Sequence, residues 1–517
     1  MPNRTTDSLF QLIHSLQKQE KRNFKLYVKR NSSNKDMKMT QLFDALESMK
    51  EYDEDILLRK ASALNKVQLS NAKAHLYKQL LASLRVLENK NIDIQLHEQL
   101  DYARILYNKG LYLQSLKILD KIKVTAKGNN QISLLVQVLF LEKKIETLHI
   151  TRSLDERASE LISESNDVNQ KLLKITNLSN LALQLYSWYI NNGHARNEKD
   201  ELEIEEYFKN YLSPNLKSAD GFYEKLYLYQ SYCWYAFIKQ DFLMYYRYTQ
   251  HWVDIFKKNS LMIEIETASY IKGMHNLLTA HFTLRNFPKF KKDLIEFEKF
   301  SDSDMVKHND NNRIQTFVYL YISKINQHFL QGTFDEGLEL VPYITNKLEE
   351  FQLHLDRHRI LVFYYKIASL YFGAGEFGKS VDYLNKIINW KVDLRNDLQC
   401  YARLLHLIAH YELGNYDLME YLIKSVYRFM AKMENLSLVE EEIFKFLKKT
   451  FHLSPKELKP EFKKLLQKLK QFEKSRFETR AFVYLDIISW LESKVYEKPV
   501  YQIIRDKYLV SINTDSK

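Results

Sequence analysis

Apolar residues recur along this chain at the spacing of buried helix faces, and the runs are broken repeatedly by a short polar or glycine turn. After each break an aromatic residue or Leu opens the next run: Tyr112, Leu154, Phe242, Phe287, Phe334, Phe377 and Tyr416, with a degenerate copy near Glu198. Their separations are 42, 88, 45, 47, 43 and 39 residues, the 88 reading as two units of 44. A helical hairpin of that length cannot bury its apolar side alone, so successive copies must shelter one another. The pattern predicts an all-α chain: a right-handed α-solenoid of antiparallel helical hairpins.

Three spans differ in character. Residues 1–90 read as a small helical N-terminal unit with helices near 7–16, 19–30, 40–50, 54–63 and 67–89, punctuated by Asn31-Ser32-Ser33-Asn34, Tyr52-Asp53 and Asn65-Lys66. Leu9, Leu12, Ile13 and Leu16 form one apolar stripe there, and Phe24, Tyr27 and Val28 another. Residues 91–436 carry the hairpins without a Pro/Ser-rich linker and read as one continuous array. From 437 to 517 the chain reads as a C-terminal helical cap. Ser454-Pro455-Lys456-Glu457 supplies an N-cap, a first-turn Pro and an acidic third position, and Leu458, Phe462, Leu465, Leu466, Leu469 and Phe472 share one side of the helix that follows.

Composition sharpens this picture. Eleven Gly and seven Pro in 517 residues fall far below the usual usage of about 7% and 5%, so nearly the whole chain is free to be helical. Cys233 and Cys400 lie 167 residues apart inside apolar runs, which suits a reducing compartment rather than a disulfide framework. The opening apolar stretch is interrupted by Gln11, His14 and Ser15, and the most apolar run, 226–238, contains Gln230 and Ser231. Neither meets the requirement for a secretion signal or a membrane span, and a cytoplasmic location is expected.

The net charge of +11 is unevenly distributed. Residues 1–90 hold 17 Lys/Arg against 10 Asp/Glu, residues 445–517 hold 17 against 9, and the span between them carries −4. Lys18, Arg22, Lys25 and Lys29 share the polar face of the second helix, while Lys456, Lys459, Lys463, Lys470 and Lys474 ride on the helix opened by Pro455. Basic ends point to a partner for the termini different from that of the array.

Among the repeats, YYKIASLYFGAGEFGKSVDYLNKII at 364–388 resembles the tetratricopeptide (TPR) pattern, with Tyr364, Ile367, Ala368, Tyr371, Gly375, Phe377, Ser380, Leu384 and Ile387 in register. Ala368 and Ser380 are small where two helices must approach closely, and Gly375 gives the turn its backbone freedom. A second copy places Ala103, Leu106, Gly110, Tyr112, Ser115 and Leu119 in the same positions; Gly332, Phe334 and Gly337 begin a third, and Gly414 with Tyr416 a fourth. Around Phe242 the small position is Tyr245 and the turn residue is Gln240. The period above 40 is similar to the TPR-like arrays of bacterial signalling regulators, and the N-terminal unit resembles the openings of large bacterial helical-repeat proteins. The resemblance implies a concave groove lined by first helices, in which a partner segment lies.

Counting back five residues from each opener gives Tyr107, His149, Phe237, Phe282, Phe329, Phe372 and Tyr411, a nearly unbroken aromatic stripe. Counting back fifteen gives Tyr227, Lys272, Tyr319, Val362 and Tyr401. The aromatic members of the two lines, Tyr107, Phe237, Phe282, Phe329, Phe372, Tyr411, Tyr227, Tyr319 and Tyr401, are the candidate partner-binding residues, through aromatic contacts with a peptide or helix. The competing reading of each aromatic is core packing, since 13% of the chain is aromatic.

No chemistry stands out. His281, His328 and His410 replace a packing aromatic six residues before an opener, and the one-turn pairs His354/His358 and His406/His410 lack the Glu of an H-E-x-x-H zinc motif. Nucleophile-elbow, Walker, dinucleotide and kinase-type glycine motifs are missing, and the acidic runs Glu201–Glu206 and Glu440–Glu442 sit on solvated faces. No catalytic residue, cofactor or metal is therefore assigned. The sequence points to a non-enzymatic protein-interaction scaffold with a protein or peptide partner. The alternative is a nucleic-acid- or ribosome-associated regulator using the basic ends, with 54–66 and the helix from Val67 (Gln68, Ser70, Asn71, Lys73) as a weak helix-turn-helix.

Overall fold

In the computed structural model, which describes residues 7–30, 36–61, 64–88, 91–149, 155–212, 216, 218–352, 354–390, 396–433, 437–450, 453, 455–473, 475, 477–478 and 486–515, every regular element is an α-helix. By contacts the chain divides into two units, Met1–Asn169 and Gln170–Lys517.

The first unit begins with α1 (Ser8–Ser15), α2 (Lys18–Arg30), α3 (Asp36–Glu47), α4 (Glu54–Lys60) and α5 (Lys66–Leu87). Leu9, Ile13, Phe24, Val28, Leu42, Phe43, Leu57, Leu76 and Leu80 fill a core of their own, entirely within residues 1–90. His14 ties the ends together through contacts with the Phe10 and Met49 carbonyls at 3.0 and 2.8 Å. Next come α6 (Ile92–Asn108), α7 (Tyr112–Gly128), α8 (Ile132–Leu148) and the start of α9 (Asp155–Asn192), around a second core that includes Leu100, Leu119, Val138 and Ile145.

Here one helix break expected of a hairpin array is missing. The middle of the 88-residue interval does hold a turn, between Asn192 and Glu198, but α9 before it runs unbroken for 38 residues, where one more helix break would be needed to make a hairpin. The physical reason is local: residues 155–192 contain neither Gly nor Pro, so no backbone breaker interrupts the helix. Leu154 lies outside the described residues, and the degenerate copy starts α10 (Glu198–Tyr211). The contact boundary falls within α9, inside the span that the sequence treats as unbroken. Leu161 and Val168 belong to the core shared by α6–α8, whereas Leu178, Leu181 and Leu185 belong to one formed with α10 and the helix after it.

The second unit continues with α11 (Phe222–Ile238), α12 (Phe242–Lys258), α13 (Leu261–Ile265), α14 (Thr267–Thr283), α15 (Phe287–Ser301), α16 (Asp304–Lys307), α17 (Asp310–Gln331), α18 (Phe334–Leu338), α19 (Val341–Glu350), α20 (Arg357–Gly373), α21 (Phe377–Ile388), α22 (Asn396–Glu412) and α23 (Tyr416–Lys432). It closes with α24 (Leu438–Thr450), α25 (Pro455–Phe472), α26 (Ile487–Tyr496) and α27 (Val500–Asp515). Consecutive helices pair, and the first helices of successive hairpins also touch, α14 with α17, α17 with α20 and α20 with α22.

One turn geometry recurs seven times among the described residues. Two residues before the next helix, Gly110, Asn130, Gln240, Arg285, Gly332, Gly375 and Gly414 adopt positive φ of 52 to 82°. The residue that follows donates its N–H to the carbonyl five positions back, at 2.8 to 3.2 Å, closing a Schellman turn. At the two best copies the small residues explain the close approach of the hairpin's helices. Ser115 Oγ donates to the Ala103 carbonyl at 2.8 Å, and Ser380 Oγ to the Ala368 carbonyl at 2.9 Å, all four residues being fully buried.

The C-terminal helices pack against these turns. Gly332 has its Cα so close to α27 that a Cβ would lie 2.6 Å from the Tyr501 carbonyl oxygen and 2.8 Å from Arg505 N. Tyr508 meets Phe287 edge to face at 4.9 Å, and Trp490 Nε1 on α26 donates to Glu412 Oε1 at 2.6 Å. No described helix is long and apolar enough to cross a membrane.

Candidate partner-binding face

First helices present a repeated line of side chains because residues three and four apart share one helix face. In α14 the line is Lys272, His275, Thr279 and Phe282; in α17 it is Tyr319, Ile322, Asn326 and Phe329. In α20 it is Val362, Tyr365, Ser369 and Phe372, with Lys366 beside it. Since α14, α17 and α20 touch in order, these lines lie side by side.

The sequence-predicted aromatics divide into two groups. Tyr401, Tyr411, Tyr319 and Phe372 are buried. Phe372 packs on Phe377 at 5.2 Å and lines a cavity of about 500 Å³ with Phe377, Trp490 and Val500, and Tyr411 packs on Tyr416 and Phe462. Tyr107, Tyr227, Phe237, Phe282 and Phe329 are half-buried. Tyr107 lies against Tyr112 and His149, and Phe237 is ringed by Tyr189, His194, Trp234 and Tyr245. The stripe therefore mixes packing residues with residues that keep an open side.

Phe282 and Phe329 are brought together by a residue that the sequence count passed over. Lys366 Nζ, on α20, lies 5.5 Å from the Phe282 ring centre and 5.1 Å from that of Phe329, and donates to Asn326 Oδ1 at 2.6 Å. Lys272 Nζ sits 4.9 Å above the Tyr319 ring and 6.0 Å from Trp234, while the Arg359 guanidinium is 6.0 Å from the same Tyr319 ring. His275 stacks on Tyr319 at 4.2 Å. The signal for Lys366 and Lys272 was present: each is a single cation inside an aromatic and aliphatic run, YYKIASLYF and SYIKGMHNLL. What the count lacked was the partner helix.

Electrostatics follow from that crowding. Burial pushes the Lys366 ammonium down to about 8. Burial, then Lys272, Lys366 and Arg359, holds the His275 imidazole well below its ordinary value, so it is neutral, and its Nδ1 is buried with no hydrogen-bond partner among the described residues. Elsewhere histidines serve the turns: His328 Nδ1 meets Thr333 Oγ1 at 2.8 Å, His410 Nδ1 meets Asn415 at 2.9 Å, and His281 Nε2 bonds Asp293 Oδ2 at 2.9 Å. Among the described residues no group of three or more His, Cys, Asp or Glu gathers as a metal would require.

The basic candidates are partly neutralised. Lys25 pairs with Asp44 at 2.8 Å and Glu47 at 3.4 Å, Lys459 with Glu497 at 2.7 Å, and Lys470 with Glu492 at 2.7 Å. Lys18, Arg22, Lys29 and Lys463 are exposed. The Lys456 side chain and Lys474 lie outside the described residues. In the helix-turn-helix candidate, α5 is 22 residues long, and Lys73 turns inward to bond Asp7 and Tyr52.

Compared with known proteins, the chain matches no family model and no curated protein.

Proposed function

We propose that this chain is a non-enzymatic scaffold of the cytoplasm, in which TPR-like hairpins stack as a right-handed solenoid and a partner protein segment lies along the first-helix face. The observation that carries the reading is the convergence on Lys366. One side chain of α20 contacts aromatics of α14 and α17, so three successive hairpins build a single face. A face assembled from several repeats is what extended recognition by such proteins uses. Half-buried Phe282 and Phe329 supply rigid apolar contact area, and the polar groups between them supply direction.

Site-specific photo-cross-linking in native cells tests this. A photoreactive residue at position 282 or 329 of the full chain is expected to give a protein adduct, whereas one at Tyr421, which is 72% exposed on α23, gives none. Adducts to RNA alone, or equal adducts at all three positions, would overturn the reading in favour of a nucleic-acid partner or of no defined face.

A further inference from the structure

The cations between α14, α17 and α20 are short of counter-charge among the described residues. Among the described residues Lys272 and Lys366 have no carboxylate at ion-pairing distance, and the carboxylate that Arg359 pairs with is Asp356, at 3.4 Å and on the same helix. They lie against Phe282, Phe329, Tyr319 and Trp234, Lys366 being the most desolvated, while the Arg359 side chain stays 31% exposed. Desolvating an ammonium without a counter-ion is costly, and a nearby anion recovers far more there than on the surface. The buried Nδ1 of His275, in the same place, has no hydrogen-bond partner among the described residues.

We infer that the Lys272, Arg359 and Lys366 cluster is a carboxylate-binding site, which selects an acidic peptide segment whose neighbouring apolar or aromatic side chain rests on Phe282 and Phe329. This rests on the proposed capture of a partner along the first-helix face and adds the chemistry of that partner. A polyanion fits less well. A nucleic-acid backbone needs cations repeated along its path, yet the flanking positions Tyr227, Gln230, Ile322, Val362, Tyr365 and Ser369 are uncharged. Arg403, on the following first helix, is committed to the Gln399 carbonyl at 3.1 Å and to the Phe429 ring at 3.8 Å. Lys272 and Arg359 share the Tyr319 ring, and both, with Lys366, act on His275, a local group of cations that suits one or two carboxylates.

Panning random dodecapeptide libraries against the immobilised full-length protein tests the inference, with one library displayed internally and another ending in a free C-terminus. Enriched peptides are expected to carry Asp or Glu beside an aromatic residue; enrichment confined to the second library would assign the carboxylate to the chain end rather than to a side chain. Lys366→Met and Lys272→Met should each weaken the best peptide at least tenfold, and Glu→Gln in that peptide should cost as much on the wild type and little on the variants. Circular dichroism monitors folding, and Lys272→Met, at a half-buried position, carries the test if Lys366→Met unfolds. Neutral or basic peptides that bind both variants as tightly as the wild type would overturn the carboxylate site and leave partner capture standing. No enriched peptide from either library would overturn both, and a single-stranded RNA 12-mer bound through Lys272 and Lys366 would replace the peptide by a polyanion.

Discussion

The hairpin of α6 and α7 and the hairpin of α20 and α21 carry the same local chemistry and meet different surroundings. Each has a buried Ala facing a buried Ser twelve residues on, the same hydroxyl-to-carbonyl bond, and a glycine of positive φ in a Schellman turn. Yet the first leaves Tyr102, Ile105, Leu111 and Leu113 exposed, whereas the second buries Leu361, Phe363, Tyr365, Ile367 and Leu370 against its neighbours. The lesson is that about twenty-five residues suffice to specify a hairpin, while what its faces do depends on the helices laid against them.

The comparison extends to the turns themselves, where its consequences are largest. Gly332 and Gly375 both need positive φ, but a Cβ at Gly332 strikes the α27 backbone, whereas a Cβ at Gly375 meets nothing within 4 Å. Gly332→Ala should therefore cost about 3 kcal/mol, the left-handed penalty plus overpacking, read as a lowered denaturation midpoint. Equal costs at Gly332 and Gly375 would mean that α27 yields freely.

Acid should separate the units next. In the second unit, burial, then His410 and Arg403, lower the His406 imidazole to about 4, and its Nε2 lies 3.2 Å from His410 Nε2. The folded value is below the unfolded one, so this stabilisation is complete above pH 6.5 and is lost as pH falls toward 4. Going from pH 7 to pH 5 should remove about 2 kcal/mol, and His406→Asn should flatten that slope. An unchanged slope would show that the imidazole is not desolvated.

Smaller effects probe the shared chemistry. Gly375→Ala should cost about 1 kcal/mol from backbone strain alone. Ser115→Ala and Ser380→Ala should each cost about 1 kcal/mol or less, and by similar amounts, because each removes one buried hydrogen bond whose acceptor is a helix carbonyl. A large difference between the two serines, measured by urea unfolding followed separately in each unit, would show that the context of the pair, rather than the pair, sets its contribution.

Much of the architecture was legible because it is locally encoded. The openers Tyr112, Phe242, Phe287, Phe334, Phe377 and Tyr416 begin helices as predicted, and Gly110, Gly332, Gly375 and Gly414 stand where left-handed backbone is required. Gln240 and Arg285 take the same conformation without being glycine; their turns were readable from spacing, not residue type. The 44-residue period counted through the breaker-poor interval lands on the start of α10 at Glu198, but period alone could not tell that α9 runs as one 38-residue helix before it. On the candidate face, the aromatic stripe could be counted, but half-buried Phe282 could not be distinguished from buried Tyr401. Lys366 escaped notice altogether, since its meaning lies in rings 84 and 37 residues earlier in the chain.

By itself, then, the sequence determined the helices, their turns and the close approach within each hairpin, because capping, glycine conformation and side-chain size act over a few residues. Only the tertiary structure decided which aromatics stay open, which cations lose their water and where α27 comes to rest on Gly332. Those outcomes depend on which atoms arrive from distant helices, and burial and charge respond to that arrival.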